Sequence, residues 1–322
     1  MPRSFDLLVI GDANPDVVLG QVPRVLEYGQ REQLVASGSL LLGGSAAITA
    51  CGAARLGLRV AFAGRVGDDP AGAFVRTALA ERGVDVTALV TDPELPTPLT
   101  AVLARGDDRA ILTAPGALTA TGPRDVPDRL LADCRHVHAG SFFLMPRLAR
   151  GLGEVFARAR GHGAATSLDT NDDPAQRWDP ELLGPVLKST DVLLPNAAEA
   201  RALAATLAPG PAEGDVPAAA LARLGPLVVV KDGAAGALAH DGVTLTRTAA
   251  VPADPVDSVG AGDSFDAGFV AAVLRGLDLP AALTFAAACG ALSTRAHGGT
   301  AAQPTWDEAA AAARTTSPGS HA

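Results

Sequence analysis

The sequence predicts an α/β fold with a mostly parallel central sheet and helices on both of its faces. Two observations carry this expectation. Short apolar runs alternate with helix-length segments along almost the whole chain, the pattern of repeated βα units. The composition also supplies the core: 48% of the 322 residues are apolar but only 4% are aromatic, so the interior must be built from Ala, Val and Leu. That length suits one large α/β domain or two small ones and buries a sizeable core.

Taken in order, residues 7–10, 60–63, 137–139, 165–168, 192–194 and 227–230 read as strands. Their short, mostly apolar character fits buried strands covered on both faces. The helices between them fall at about 45–56, 70–82, 147–160, 180–189, 197–207 and 217–224. Two regions break the pattern. Residues 15–42 lack a helical period and end in Leu40, Leu41 and Leu42. Residues 99–114 read as a hairpin, with strands 99–105 and 109–113 joined by Gly106, Asp107 and Asp108. A second hairpin is expected where 237–240 turns at Asp241-Gly242 into 243–248. Pro209 to Gly214 reads as a loop, since βα units continue on both sides. A last Ala-rich helix is expected at 308–314, and the small, polar residues 315–322 are expected to be a disordered tail.

Charge and cysteine content narrow the function classes. A net charge of −9 offers no basic patch to offset phosphate repulsion, which argues against nucleic acid as a partner. Cys51, Cys134 and Cys289 lie far apart with no CxxC pair, as expected of small core residues in a reducing compartment. The N-terminal apolar run is too short for a signal peptide or a membrane span. A cytoplasmic protein with no membrane partner is the expectation.

Residues 257–268, Asp-Ser-Val-Gly-Ala-Gly-Asp-Ser-Phe-Asp-Ala-Gly, carry the most chemistry. A turn from Gly260 through Ala261 to Gly262 runs into Asp263. Phe265, Phe269 and Val273 follow at helical spacing, with Val270, Leu274 and Leu277 beside them. Glycines leave backbone N–H groups uncovered at the start of a helix, where partial positive charge suits phosphate. A carboxylate in the same turn makes sense where a site needs both an anion cradle and a base, as a phosphotransferase does. The bland alternative makes Asp263 the N-cap of the helix.

This stretch resembles the Asp-Thr-x-Gly-Ala-Gly-Asp signature of the ribokinase-like (PfkB) carbohydrate kinases, with Ser258 in place of the Thr. The resemblance runs through nearly the whole chain in the right order. Asn14 and Asp16 stand near the N-terminus, and Gly43-Gly44 precede a helix ending at Leu56-Gly57. Asn196-Ala-Ala-Glu199 follows one strand, and Lys231-Asp-Gly233-Ala-Ala-Gly236 follows another. The resemblance implies a ribokinase-like three-layer sandwich over residues 1–314. Insertions at about 15–42 and 99–114 would form a small β-sheet lid over a sugar.

The same resemblance implies roles. Asp263 would be the general base, with the backbone of Gly260, Ala261, Gly262 and Asp263 as the anion hole. Asn14, Asp16, Gly43, Gly44 and Ile48 would face the sugar. Asn196, Glu199, Lys231, Gly233 and Gly236 would meet ATP, with Glu199 organising water on Mg²⁺. Asp257 and Val259 would hold a monovalent cation, K⁺. Structural alternatives stand beside these: a capping box for Asn196 and Glu199, and turns for Asn14-Pro15-Asp16, Asp257 and the Lys231–Gly236 stretch. A homodimer through the lid is a further implication.

The sequence departs from the family at three places. Ile48 stands where an Asn is usual, four residues after Gly44, removing a hydrogen-bonding group. Gly140-Ser-Phe-Phe-Leu144 lacks the Glu of ribokinases proper, which weakens ribose as the substrate. Asp169-Thr-Asn171 is followed by Asp173 where an Arg is expected, with Arg177 and Trp178 after it. A nucleoside kinase, using Phe142 and Phe143 as a stacking surface, is the enzymatic alternative. A catalytically weak sugar-sensing protein is the alternative outside enzymes. His136 and His138 share a strand face with no further ligand, so no zinc site is expected.

Overall fold

The structure is a computed structural model that describes residues 3–106, 108–208 and 216–316. In chain order its elements begin with β1 (Phe5–Ile10), β2 (Asn14–Gly20), β3 (Ser37–Gly43), α1 (Ser45–Arg55), β4 (Val60–Gly67), α2 (Pro70–Glu81) and β5 (Val84–Asp92). There follow β6 (Leu99–Arg105), β7 (Asp108–Ala114), α3 (Asp128–Ala132), β8 (Cys134–Ala139), α4 (Pro146–Gly161), β9 (Ala165–Leu168) and α5 (Pro180–Leu187). Then come β10 (Val192–Leu193), α6 (Ala197–Leu207), α7 (Pro217–Ala222), β11 (Leu227–Lys231), β12 (Ala237–His240) and β13 (Leu245–Thr248). The chain ends in α8 (Ala261–Leu274), α9 (Leu279–Ser293) and α10 (Trp306–Thr316). Asp107 and residues 209–215 and 317–322 lie outside the described residues, so the expected 209–214 loop and most of the expected tail are not described; α10 itself continues two residues past the expected boundary at 314.

Among the described residues nine strands form one sheet in the order β13-β12-β11-β10-β9-β8-β1-β4-β5. Its pairings are parallel from β11 through β5, and the β12 and β13 hairpin closes one edge antiparallel. Alternation along β1 shows why the strand reads as continuously apolar. Leu7 and Val9 face one core layer with α1, α2, α8 and α9, while Leu8 and Ile10 face the other with α4 to α7. Each face buries its own set, which excludes polar residues from both. The sequence expectation omits β5 entirely. This strand is the sheet's edge, and its half-exposed positions break the apolar run that marks the inner strands.

The second sheet has the order β3-β2-β6-β7 and forms from the two interrupting regions. Asn14 pairs with Gly43 and Asp16 with Thr100, so polar residues cluster at one end of this small sheet. The described residues contain no helix long and apolar enough to cross a membrane. All three cysteines are buried and free, and burial pushes the Cys51 thiol up to about 12.

Candidate active site

Helix α8 begins with Gly260 in the left-handed region at φ 74°. A Cβ there would lie 2.5 Å from the Cα of Gly299, so both backbone conformation and space demand glycine. The N–H of Ala261 donates to the carbonyl of Ser258 at 3.3 Å, which removes one of the four donors expected for the anion hole. Gly262 and Asp263 lie in the first helical turn, where a helix has no carbonyl to offer their N–H groups.

Asp263 is therefore the third helical residue and not the N-cap. Its side chain is 9% exposed and forms a short hydrogen bond with the hydroxyl of Ser45, the first residue of α1. Burial, the largest cause, pushes the carboxyl up to about 7, with Asp169 and Asp12 adding to the rise and Ser45 and Lys231 opposing it. Ser45 also accepts from Asn171 Nδ2 at 2.8 Å, and Asn171 Oδ1 accepts from Ser141 N at 2.6 Å. Asn171 and Ser141 are both non-glycine residues at positive φ, 53° and 54°. Such conformations persist where surrounding bonds over-determine them, here the hydrogen-bonded link to Asp263. The sequence reading gives no role to Ser45, Ser141 or Asn171; only Asn171 is marked there, as part of Asp169-Thr-Asn171.

Behind the turn lies a buried cluster. Lys231 Nζ is 2.6 Å from Asp169 Oδ2 and 3.1 Å from Asp266 Oδ2. A Cβ on Gly262 would sit 3.6 Å from the same nitrogen. Lys231 is expected to meet ATP; its ammonium is held by two carboxyl groups close to the Gly260–Gly262 turn. Burial raises the Asp266 carboxyl well above its ordinary range. Burial would raise Asp169 too, but the Lys231 charge and the hydrogen bonds of Asp266 and Asn171 outweigh it and hold Asp169 low. The two carboxyls are thus shifted in opposite directions, Asp169 down and Asp266 up.

At the lid end, Asn14 Nδ2 donates to Asp16 Oδ1 at 2.7 Å and to Thr100 Oγ1 at 3.1 Å. Burial, then the charge of Asp12, pushes Asp16 up to about 7. Gly43 lies directly against the Asp16 carboxylate, where any Cβ would collide with it. Asp12, overlooked in the sequence, accepts from the N–H groups of Ser45 and Ala46 at 3.2 and 3.0 Å and so tethers the start of α1. A Cβ on Gly44 would lie 2.7 Å from the Asp12 carbonyl.

On the other side of Asp263, a cleft of about 600 Å³ runs past Asn196, Glu199, Lys231, Gly233 and Gly236 to Val251 and Ala287. Asn196 and Glu199 form a full capping box on α6: Asn196 Oδ1 accepts from Glu199 N at 2.9 Å, and Glu199 Oε2 accepts from Asn196 N at 2.8 Å. The capped helix start nonetheless opens onto the cleft. Burial, then the charge of Asp169, pushes Glu199 up to about 7.

A family model described as pfkB family carbohydrate kinase matches residues 4–306. The chain belongs to the PfkB family. The ATP-dependent ribose-1-phosphate kinase of Halopiger xanaduensis is 33% identical over 306 residues, covering 95% of this chain and 97% of that one. The nucleoside kinase of Methanothermobacter thermautotrophicus is 30% identical over 292 residues, 89% of each. The ribokinase of Arabidopsis thaliana, complexed with ribose and ATP, superposes with a TM-score of 0.83 at 24% identity, covering 98% of this chain and 99% of that one. This PfkB carbohydrate kinase accordingly has the ribokinase-like fold.

Three departures from the PfkB pattern can now be placed. Ile48 is 3% exposed and packs on Gly260 and Gly299, beside the start of α8. Asp173 spends its carboxylate on the N–H groups of Ala175, Arg177 and Trp178, shaping the loop after β9. Phe142 is buried and offers no stacking surface, and Phe143 meets Trp178 edge-on at 5.4 Å. His136 and His138 share the Ser167 hydroxyl at 2.7 and 2.8 Å, and burial drives them down to about 3 and 4, so both are neutral.

Proposed function

We propose that this kinase transfers the γ-phosphate of ATP to a hydroxyl of a small sugar or sugar-like acceptor, with Asp263 taking the proton. One observation carries the reading: a buried carboxylate poised near neutrality stands in the first turn of α8, between a cleft of nucleotide size and the polar base of the lid. A general base of that proton affinity suits reaction near pH 7. The N–H groups of Gly260, Gly262 and Asp263 are aimed to receive the transferring phosphoryl group, at about 3 kcal/mol per preorganised donor. Asn14 and Asp16, beside Gly43 and Gly44, are the acceptors for the sugar hydroxyls.

The cleft's residues fit a nucleotide carrying Mg²⁺. Val251, Ala287 and Ala291 make an apolar end for a base, and Asn196, Glu199, Gly233 and Gly236 make a polar end. When bound, Mg²⁺ would neutralise phosphate charge and keep waters that Glu199 can orient. Glu199→Gln keeps an oxygen for the Asn196 N–H and removes only the charge. It is expected to raise the Mg²⁺ requirement several-fold more than the sugar KM. A Mg²⁺ titration identical to wild type would leave Glu199 its capping role alone.

A monovalent cation beside Asp257 and Val259 belongs to the same reading, although Asp257 already faces Arg109. Pairing of two copies through the lid is supported by Leu40 and Leu112, exposed on one face of the small sheet. The experiment that tests the reading is ADP release over ribose, ribose 1-phosphate, fructose, sugar acids and nucleosides. The similarity to a ribose-1-phosphate kinase and the buried Phe142 favour the sugars. Absence of turnover with every acceptor, under conditions where ATP binds, would support the sensor instead.

A further inference from the structure

We propose that Arg109 of the lid is a positioning residue that ties the anion-hole turn to the closed lid. The proposal rests on the kinase reading above. Strands β3 and β7 are the two outer strands of the small sheet, and each lays one side chain on the same part of the body. From β7, Arg109 Nη1 lies 3.5 Å from Asp257 Oδ1. From β3, Leu41 packs on Gly298, where a Cβ would lie 2.6 Å from its Cδ1.

The two contact points are joined by hydrogen bonds. Asp257 Oδ2 accepts from Gly298 N at 2.9 Å, and Asp257 Oδ1 accepts from Val259 N at 3.0 Å. Val259 precedes Gly260, and Gly299 fills the space beside Gly260 together with Ile48. Lid, Asp257, the Gly298–Gly299 segment and the turn therefore make one continuous packed path. His297 Nδ1, 3.9 Å from Asp257 on an exposed side chain, is the other basic group facing this carboxylate.

The Arg109 contact is a weak one by design of its place. Its side chain is 36% exposed, and solvent screening leaves ion pairs of that kind weak. A lid that must open for the sugar cannot be held by more. The weak latch still biases the turn toward its donor-presenting geometry when the lid is down, so phosphate is received best when an acceptor is enclosed. Ile48, in place of a polar residue, gives the turn an apolar backing through its contacts with Gly260 and Gly299.

The test compares wild type, Arg109→Ala and Arg109→Lys by hydrogen exchange on the full chain without substrate, and by kinetics with the best acceptor from the ADP-release panel. Arg109→Ala is expected to speed exchange at 256–262 and 297–299, leave α4 unchanged, and lower kcat by about three- to tenfold with little change in ATP KM. Added salt should reduce wild-type kcat and leave that of Arg109→Ala unaffected, and Arg109→Lys should recover part of the loss. Unchanged exchange at 256–262 in Arg109→Ala overturns the relay, whether or not the kinase reading stands. Equal kcat and equal salt response in Arg109→Ala and wild type overturn its kinetic role.

Discussion

Asp263→Asn is expected to fold normally, bind ATP, and lose about 10²–10⁴-fold in kcat, the usual worth of a general base. Asn keeps the size of the side chain and an oxygen for the Ser45 hydroxyl, so the link from α8 to α1 survives. It cannot take a proton. Because burial pushes Asp263 up to about 7, the wild-type kcat/KM should fall tenfold per pH unit below that value, and the residual rate of the variant should be flat there. Stability should run the other way. A carboxyl raised in the folded state contributes stability that is complete below about 3.8 and is lost as pH rises to about 7. Asp16 and Glu199 are raised similarly and add to the same trend. Denaturant unfolding of Asp263→Asn should therefore weaken less than wild type between pH 4 and 7. A variant that keeps more than a few per cent of wild-type kcat, or an acid limb that survives the substitution, would sink the assignment.

The opposition between rate and stability at Asp263 follows from its place in the chain. The motif from Asp257 to Gly268 was legible because glycine turn, carboxylate and helical period are local features. So were the inner strands, whose apolar runs need no partner to be recognised. What fixes the chemistry is not local. Ser45 is 218 residues from Asp263, Asn171 is 126 from Ser45, and Asp12 is 34 from the Ala46 it holds. Each is an ordinary polar residue until the fold brings it to the ends of β1, β8 and β9, where parallel sheets place their ligands. The role of Gly43 was foreseen as close backbone approach to substrate; the structure shows it making room for Asp16 as well. Ile48, expected to face the sugar, also packs its side chain on Gly260 and Gly299, a contact between distant segments that nothing local in the sequence marks.

Lys231 gives the second large expected effect. Lys231→Met should cost about 3–5 kcal/mol of stability, the usual penalty for leaving a buried charge unpaired. The charge left behind is that of Asp169, whose side chain is 2% exposed and whose proton affinity Lys231 keeps low. Asp266 should behave differently although it lies almost as close to the ammonium. Its side chain is fully buried, burial raises its carboxyl well above the ordinary range, which favours the protonated form, and it is hydrogen-bonded to Asp169. Asp266→Asn replaces a neutral acid by a neutral amide of the same shape and should cost less than about 1.5 kcal/mol, the scale of one ordinary hydrogen bond. Catalysis should separate the two again. With Lys231 gone the local field turns more negative, the pKa of Asp263 rises, and the acid limb of kcat/KM moves to higher pH. Asp266→Asn should leave that limb within a few tenths of a unit. Urea unfolding and pH–rate profiles on both variants decide the matter. If Asp266→Asn proves as destabilising as Lys231→Met, Asp266 is ionised in the native protein, and the single-charge description of the cluster fails.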